Sequence, residues 1–335
     1  MNKALKTLSD EMAEKLIKQD QPHEIAPMLA TLTHDYFSDP NWLYEPKLDG
    51  ERCLLYKQGK RIMMLSRNQK EQDDYYPEIN QALKKMPGNF ILDCELVVFD
   101  GKITSFSKLQ NRMHVKNPSD KLIKKFPVLA YAFDILYLDG FSLECLPLRK
   151  RKSILKNAFS FASPIHYLPH RNEKGKKYLN EVCSKGMEGL IAKDAESQYV
   201  HHRSKKWLKF KCGHGQEFVI GGYTKPQGQR IGFGALLLGY YKDTQLIYCG
   251  RVGTGFDDEF LEFLHHRMQQ IQTENSAFDD YAEEDDEVNW IKPELVAEVG
   301  FSEWTEHGKL RHPRFLGLRK DKDPKDVHRE EGDDE

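Results

Sequence analysis

Two long apolar segments most constrain how this chain can fold. Phe90–Phe99 and Val128–Tyr137 are rich in aromatic and branched residues, and Asp-Gly follows them closely, at 100–101 and 139–140. Segments of this length and composition are typical of buried β-strands, and Asp-Gly is a strong signal for the tight turn of a β-hairpin. The sequence therefore predicts a domain built on antiparallel sheet.

The same turn and periodicity signals complete this half of the chain. Strands are predicted at 53–57, 61–66, 189–192 and 207–211, and helices at 77–86, 148–161 and 175–184. Cys212-Gly213-His214-Gly215 then breaks the pattern and marks a domain boundary. Beyond it, Gly-rich turns and a helix at 257–272 separate short β-runs, which is typical of a small Greek-key barrel. These runs lie at 217–223, 234–241, 246–252 and 296–301.

We expect four parts along the chain. Residues 1–22 predict an amphipathic helix that packs on the body, because Leu5, Leu8, Met12 and Leu16 fall on one helical face. Residues 23–213 form the first domain, 214–328 the second, and 329–335 an acidic tail.

Charge and cysteine usage narrow the class of protein. The net charge is -2, but acid is concentrated in 283–287 and 330–335, so the remaining body is basic and suits a phosphate-facing surface. The six cysteines are scattered singly, which argues against a zinc ribbon and predicts reduced thiols in a cytoplasmic protein. No apolar run approaches the ~20 residues that span a bilayer, so we expect no membrane association.

One lysine is placed for chemistry. Lys47 lies between Pro46 and the turn-forming pair Asp49-Gly50, so the local backbone can aim its amine at a fixed point. If burial or nearby positive charge keeps the amine neutral, it becomes a nucleophile that can take a phosphoryl-linked group. The same residues also fit a strand that ends in an ordinary hairpin.

Other candidates have equally plain explanations when taken singly. Glu95 could face solvent from its strand, Phe133 could belong to the core, and Glu188 could be an ordinary turn residue. Lys209 and Lys211 alternate within one strand, so their ammonium groups leave the same face, as they would on a lysine-guarded edge strand. Together they supply the aromatic, carboxylate and lysine groups that a nucleotide-transfer site requires.

These residues lie in segments that resemble the ordered motifs of ATP-dependent DNA ligases. The segments are Glu45–Arg52, Leu92–Glu95, Ala132–Leu136, Met187–Lys193, Trp207–Lys211 and Arg311–Lys322. The resemblance covers roughly Ala26 to Asp326, and 221–224 and 250–256 are also similar to the ligase modules of bacterial end-joining proteins. It implies an α+β fold, in which a nucleotidyltransferase domain of ATP-grasp-like antiparallel sheets and helices precedes a small OB-fold β-barrel domain.

The resemblance also implies roles around the nucleotide. Lys47 would become covalently adenylated, Glu45 would accept a hydrogen bond from the adenine amino group, and Phe133 would stack on the ring. Glu95 would hold the ribose and, with Glu188, a divalent metal ion.

Basic residues would hold the phosphates. The resemblance places Arg52 and Arg67 on the nucleotide and the nick phosphate, and Lys209 and Lys211 on the α-phosphate.

The last motif would act on pyrophosphate. Arg319, Asp321 and Lys322 would meet it as it departs, when a mobile second domain closes. His312 and Gly317 depart from the family pattern, because relatives usually have an aromatic and often a basic residue there.

The function that follows is ATP-dependent sealing of 5′-phosphate/3′-hydroxyl nicks in double-stranded DNA through a lysyl-AMP intermediate. Mg²⁺ or Mn²⁺ would be the metal, the protein would be a monomer, and any Ku-like end-joining partner would be a separate protein. Two alternatives stay open: an RNA-joining or RNA-capping nucleotidyltransferase, and a non-catalytic protein that only binds single strands. Glu45-Pro46 before the lysine favours adenine over guanine, and the absence of a Cys₄ module disfavours NAD-dependent ligation.

Overall fold

The chain forms two compact units that meet in the sequence after Cys212. The computed structural model describes residues 2–33, 35–113, 115–212, 214–226, 228, 230–282 and 288–330. The acidic run 283–287 and all but the first two residues of the predicted tail lie outside the described residues. Among the described helices, none combines the length and hydrophobicity that a bilayer-spanning segment needs.

The first unit contains thirteen strands and six helices in its described part. The strands are β1 Ile17–Lys18, β2 Leu29–Leu32, β3 Trp42–Pro46, β4 Glu51–Gln58, β5 Arg61–Ser66, β6 Phe90–Val97, β7 Phe99–Asp100, β8 Ile103–Thr104, β9 Leu129–Leu138, β10 Phe141–Ser142, β11 Ile165–Tyr167, β12 Gly189–Asp194 and β13 Arg203–Lys211. The helices are α1 Asp10–Glu14, α2 Pro77–Lys85, α3 Phe106–Gln110, α4 Asp120–Lys125, α5 Leu148–Ala158 and α6 Gly175–Ser184, and Leu5–Thr7 is a 3₁₀ turn.

Two sheets face each other in this unit. The larger sheet has the order β1-β10-β9-β6-β4-β5, with β11 also paired to β9, and the smaller has the order β2-β13-β12-β3. Adjacent strands in both sheets run antiparallel, except that β11 is parallel to β9 and β2 is parallel to β13.

Side chains from both sheets meet in one apolar cluster, which includes Leu54 of β4, Phe133 of β9 and Trp207 of β13. A second cluster packs the opposite face of the larger sheet against α2, α3 and α5, and a third packs α6 on the opposite face of the smaller sheet. Strand alternation produces this layering, because successive side chains of a strand point to opposite faces.

The amino-terminal region differs from the single helix predicted over 1–22. A 3₁₀ turn at Leu5–Thr7 ends at an extended Leu8, α1 is only five residues long, and Ile17–Lys18 pairs as β1 with β10. The expected apolar face still packs on the body, since Leu5 is buried and Leu8, Met12 and Leu16 contact the core of the larger sheet. The single-helix prediction is wrong because pairing with a distant strand competes with local helix formation.

The cysteine prediction is also wrong at one pair. Cys183 in α6 and Cys212 after β13 form a disulfide, and the other four cysteines are free. Their 29-residue separation gave no sequence signal, because only the packing of α6 on the smaller sheet brings the two sulfurs together.

The second unit is an antiparallel sheet with its own core. Its described elements are β14 His214–Thr224, β15 Leu236–Lys242, β16 Gln245–Val252, α7 Asp258–Gln269, β17 Val288–Phe301, β18 Glu303–Trp304, β19 Leu310–Arg311, β20 Arg314–Leu318 and a 3₁₀ turn Pro324–Asp326. The main sheet has the order β16-β15-β14-β17-β20. Its outer strands β16 and β20 do not pair with each other in the described residues, so the sheet is not a closed ring.

Candidate active site

Lys47 lies where β3 ends, beside the start of β12. Its backbone N–H donates to the Gly189 carbonyl at 2.9 Å, and its ammonium group forms an ion pair with the Glu188 carboxylate. The lysine side chain is 19% exposed and that of Glu188 28%, so both are shielded but reachable. The ion pair with Glu188 therefore restrains the Lys47 amine.

The ordinary hairpin explanation for this turn does not fit. Strand β3 pairs with β12 in the smaller sheet, whereas β4 belongs to the larger sheet, so the turn carrying Lys47 passes from one sheet to the other. Gly50 is required at the crossing, because a Cβ there would lie 2.2 Å from the Leu96 carbonyl oxygen. One finding departs from the sequence expectation: an acidic partner, Glu188, contacts the amine, and a carboxylate favours its charged form.

Glu45 is buried two residues before Lys47 and is held by two lysines. Lys152 of α5 contacts Oε1, and the Lys193 ammonium lies 2.6 Å from Oε2. Burial by itself raises the pKa of this carboxyl, but the two ammonium groups outweigh it and leave the pKa below its usual value. Glu45 is therefore an ionised acceptor.

Phe133 is buried beneath cations. The Arg52 guanidinium carbon lies 4.7 Å from the ring centroid and the Lys193 nitrogen 4.1 Å from it, and Trp207 meets the ring edge-on. Arg52 itself is held by Asp93, through contacts of 2.5 Å at Nε and 2.6 Å at Nη2. Phe133 and Arg52 thus lie between the two sheets, although the stacking and phosphate roles expected of them stay predictions.

Strand register brings further predicted residues towards the same region. Lys209 and Glu45 both pair with Ile191, from opposite sides of β12, and Glu95 pairs with Arg52. Lys209 and Lys211 alternate with residues that pack against α6, so they share the face of Trp207. The edge-strand explanation is wrong, because β13 lies between β2 and β12.

Arg67 follows β5 directly and is half-buried. Its expected role at the nick phosphate stays a prediction.

The last-motif residues form an ion-pair network within the second unit. Arg319 is bidentate on Asp321 at 2.9 and 2.8 Å and lies 3.1 Å from Glu298, while Lys322 lies 2.7 Å from Glu217. Burial would raise the pKa of Asp321, but Arg319 outweighs it and lowers the pKa. Arg319, Asp321 and Lys322 therefore each have an oppositely charged partner within the second unit, and their expected action on pyrophosphate stays a proposal.

The described residues contain no group of three or more acidic, histidine or cysteine side chains that could hold a metal ion alone. Mg²⁺ commonly uses only one or two carboxylates together with substrate phosphates. The metal-binding roles expected of Glu188 and Glu95 stay predictions.

Sequence reasoning missed Lys152 and Lys193, although both gave a signal. In α5 the positions Leu148, Arg151, Lys152 and Leu155 form one helical stripe, so two cations fall on the apolar face. Lys193 follows the apolar run Gly189–Ala192 within β12. A charged residue at a buried position indicates a partner, which here is Glu45 for both lysines and Asp134 for Arg151.

Comparison with known families agrees with this geometry. The model for the ATP dependent DNA ligase domain matches residues 27–211, and that for the ATP dependent DNA ligase C terminal region matches residues 229–322.

Individual relatives are similar over nearly the whole chain. The multifunctional non-homologous end joining protein LigD is 33% identical over 92% of this chain in Pseudomonas aeruginosa, and 34% identical over 92% in Mycolicibacterium smegmatis. The chain spans only 37% and 40% of those two proteins.

A solved structure has the same fold. The mycobacterial DNA ligase D complexed with ATP and MES is 33% identical, with 91% of this chain and 98% of that chain covered and a TM-score of 0.67. The predicted α+β class, a nucleotidyltransferase domain followed by an OB-fold domain, is confirmed. The chain belongs to the family of ATP-dependent DNA ligases.

Proposed function

We propose that this chain seals 5′-phosphate/3′-hydroxyl nicks in duplex DNA by way of AMP bound covalently to Lys47. The observation that carries the proposal is the fixed Lys47 ammonium, held against Glu188 beside the buried Glu45 cluster. An ordinary surface lysine needs neither a turn that passes between two sheets nor a buried carboxylate, here Glu45, two residues before it.

The first step transfers AMP to the enzyme. The Lys47 amine loses a proton to solvent, and its lone pair then attacks the α-phosphorus of ATP. A P–N bond forms while the bond to the β-phosphate oxygen breaks, so that pyrophosphate leaves. Lys209 and Lys211 would stabilise charge on the α-phosphate, and Arg319, Asp321 and Lys322 would meet the pyrophosphate.

Two further transfers close the DNA. A 5′-phosphate oxygen attacks the phosphorus of lysyl-AMP and frees the amine, which leaves an adenylated DNA end. The neighbouring 3′-hydroxyl, after losing its proton, attacks that 5′-phosphorus and AMP leaves. A divalent cation held by Glu188 and Glu95 would neutralise phosphate charge.

The names of the relatives support a role in non-homologous end joining, and we extend the proposal to that setting. A separate Ku-like protein would then bring the ends together. This partner, a monomeric state and a cytoplasmic location stay predictions.

A nick-sealing assay with Lys47→Ala tests the proposal. We expect the variant to lose ATP-dependent sealing and the AMP adduct together, with its circular dichroism unchanged. Lys206→Ala is the control, because Lys206 lies on β13 with a side chain that is 63% exposed and its ammonium group pairs with Asp194. Sealing by Lys47→Ala at the rate of the control would refute the proposal.

A further inference from the structure

The two lysines beside Glu45 contact different oxygens of its carboxylate. Lys152 contacts Oε1 and Lys193 contacts Oε2 at 2.6 Å, and all three side chains are at most 3% exposed. Each carboxylate oxygen therefore has its own ammonium donor, which fixes both the orientation and the charge of the group.

The lysines are themselves anchored. Lys152 also donates to the carbonyls of Phe133 at 3.2 Å and Leu168 at 3.0 Å, so three acceptors account for its three N–H groups. Lys193 lies 4.1 Å from the centroids of both Phe133 and Trp207. The cluster therefore links Glu45 rigidly to the aromatic residue expected to stack on adenine.

Stability alone is a poor explanation for this cluster. Two ammonium groups and one carboxylate leave a formal charge of about +1 in a buried site, and each buried ion carries a desolvation penalty. Burial lowers the pKa of Lys193 even though Glu45 opposes the change. Costly ionised groups next to a reactive residue are typical of functional sites.

The negative charge of Glu45 determines which nucleobase can hydrogen-bond to it. An ionised carboxylate only accepts hydrogen bonds, and each oxygen keeps a second lone pair after one lysine contact. Adenine presents an amino donor at the position where guanine presents a carbonyl acceptor. We propose that Lys152 and Lys193 are positioning residues that keep Glu45 an obligate acceptor and so set the preference for adenine over guanine. This inference rests on the proposed function, in which Glu45 receives the adenine amino group.

The test measures covalent nucleotidylation of the full-length chain in single turnovers with ATP, GTP and purine riboside triphosphate, which lacks the amino group. We expect Lys193→Met to reduce the ATP-to-GTP ratio of kcat/KM by at least about tenfold, chiefly through a higher KM for ATP. Lys193→Arg keeps the charge and should restore most of the ratio. Lys206→Met is the exposed control and should leave it unchanged.

Purine riboside triphosphate distinguishes a lost contact with the adenine amino group from general damage to the site. Wild type should lose about 10- to 100-fold in kcat/KM when the amino group is absent, and Lys193→Met should lose much less. If Lys193→Met does not fold, Glu45→Gln decides, because its amide can donate to guanine and should raise GTP use relative to ATP.

The inference is overturned if these variants fold and keep the wild-type ATP-to-GTP ratio. Failure of the proposed function looks different, because wild type would then form no adduct with ATP at all.

Discussion

Replacing Asp134 should strongly destabilise the first unit, because its carboxylate is the buried counter-ion of Arg151. Both side chains are fully buried, and the guanidinium reaches the two carboxylate oxygens at 2.9 Å each. Arg151 also donates to the carbonyls of Leu146 at 2.5 Å and Ser197 at 2.9 Å. The pair fixes α5 against β9, and α5 carries Lys152.

The structure sets the magnitude. In Asp134→Ala the guanidinium keeps its two carbonyl acceptors but loses its counter-ion, and the Ile135 N–H loses its 2.9 Å acceptor. Removing one partner of a buried ion pair costs about 3–5 kcal/mol. For a domain of this size each kcal/mol lowers Tm by about 2–4 °C, so we expect a fall of roughly 6–20 °C.

Calorimetry of the variant and of a matched control checks this value. Glu196→Ala removes the partner of Arg149, on the same helix, from a pair whose side chains are 40% and 59% exposed. The free energy of unfolding should change by less than about 1 kcal/mol in that control. If Asp134→Ala lowers Tm no more than Glu196→Ala does, the reasoning about the buried pair is wrong.

Three other perturbations have defined outcomes. Gly189→Ala should reduce lysyl-AMP formation by at least about tenfold, because φ is +144° and a Cβ would lie 2.0 Å from the Phe210 carbonyl oxygen, which forces β12 and Glu188 to move. Burial, the largest cause, and the nearby Lys152 lower the pKa of His170 to about 4, so folding favours the neutral imidazole. The free energy of unfolding should therefore fall as the pH drops below about 6.5, the pKa of an unperturbed histidine. His170→Gln should make Tm less dependent on pH in this range. Cys183→Ser should lower the free energy of unfolding by about 3–4 kcal/mol, since the Cys183–Cys212 disulfide closes a loop of 29-residue separation.

Each of these has an outcome that would contradict it. Gly253→Ala is the glycine control, because a Cβ there meets nothing closer than 3.5 Å, and equal effects of the two glycine variants would refute the steric argument. An unchanged pH profile in His170→Gln would refute the titration argument. Alkylation of the denatured, unreduced protein should label four of the six cysteines, whereas labelling of all six would show that the disulfide is absent.

Much of the first unit could be predicted because its strands are long apolar runs. The expected strand over 90–99 is observed as Phe90–Val97, and that over 128–137 as Leu129–Leu138. The helix predicted at 175–184 has the observed bounds, and the helix predicted at 148–161 ends earlier, at Ala158. Local pattern was sufficient where burial and periodicity agree.

Long-range partners could not be predicted from local pattern. The amino-terminal segment forms β1 only because β10 offers a pairing edge, and the disulfide needs α6 packed on the smaller sheet. The site was only partly predictable for the same reason. Motifs make Lys47 and Glu188 candidates from sequence alone, but Lys152 comes from a helix whose contact with Glu45 depends on tertiary packing. Lysines at apolar positions of a predicted element are the signal that could have revealed the cluster.

Peptide mapping after incubation with ATP and Mg²⁺ shows whether Lys47 is the residue that carries the AMP. We expect the intact protein to gain the mass of one AMP, the adduct to map to Lys47, and added nicked DNA to discharge it. An adduct on another residue, or sealing of nicks without any adduct, would rule out Lys47 as the carrier of AMP.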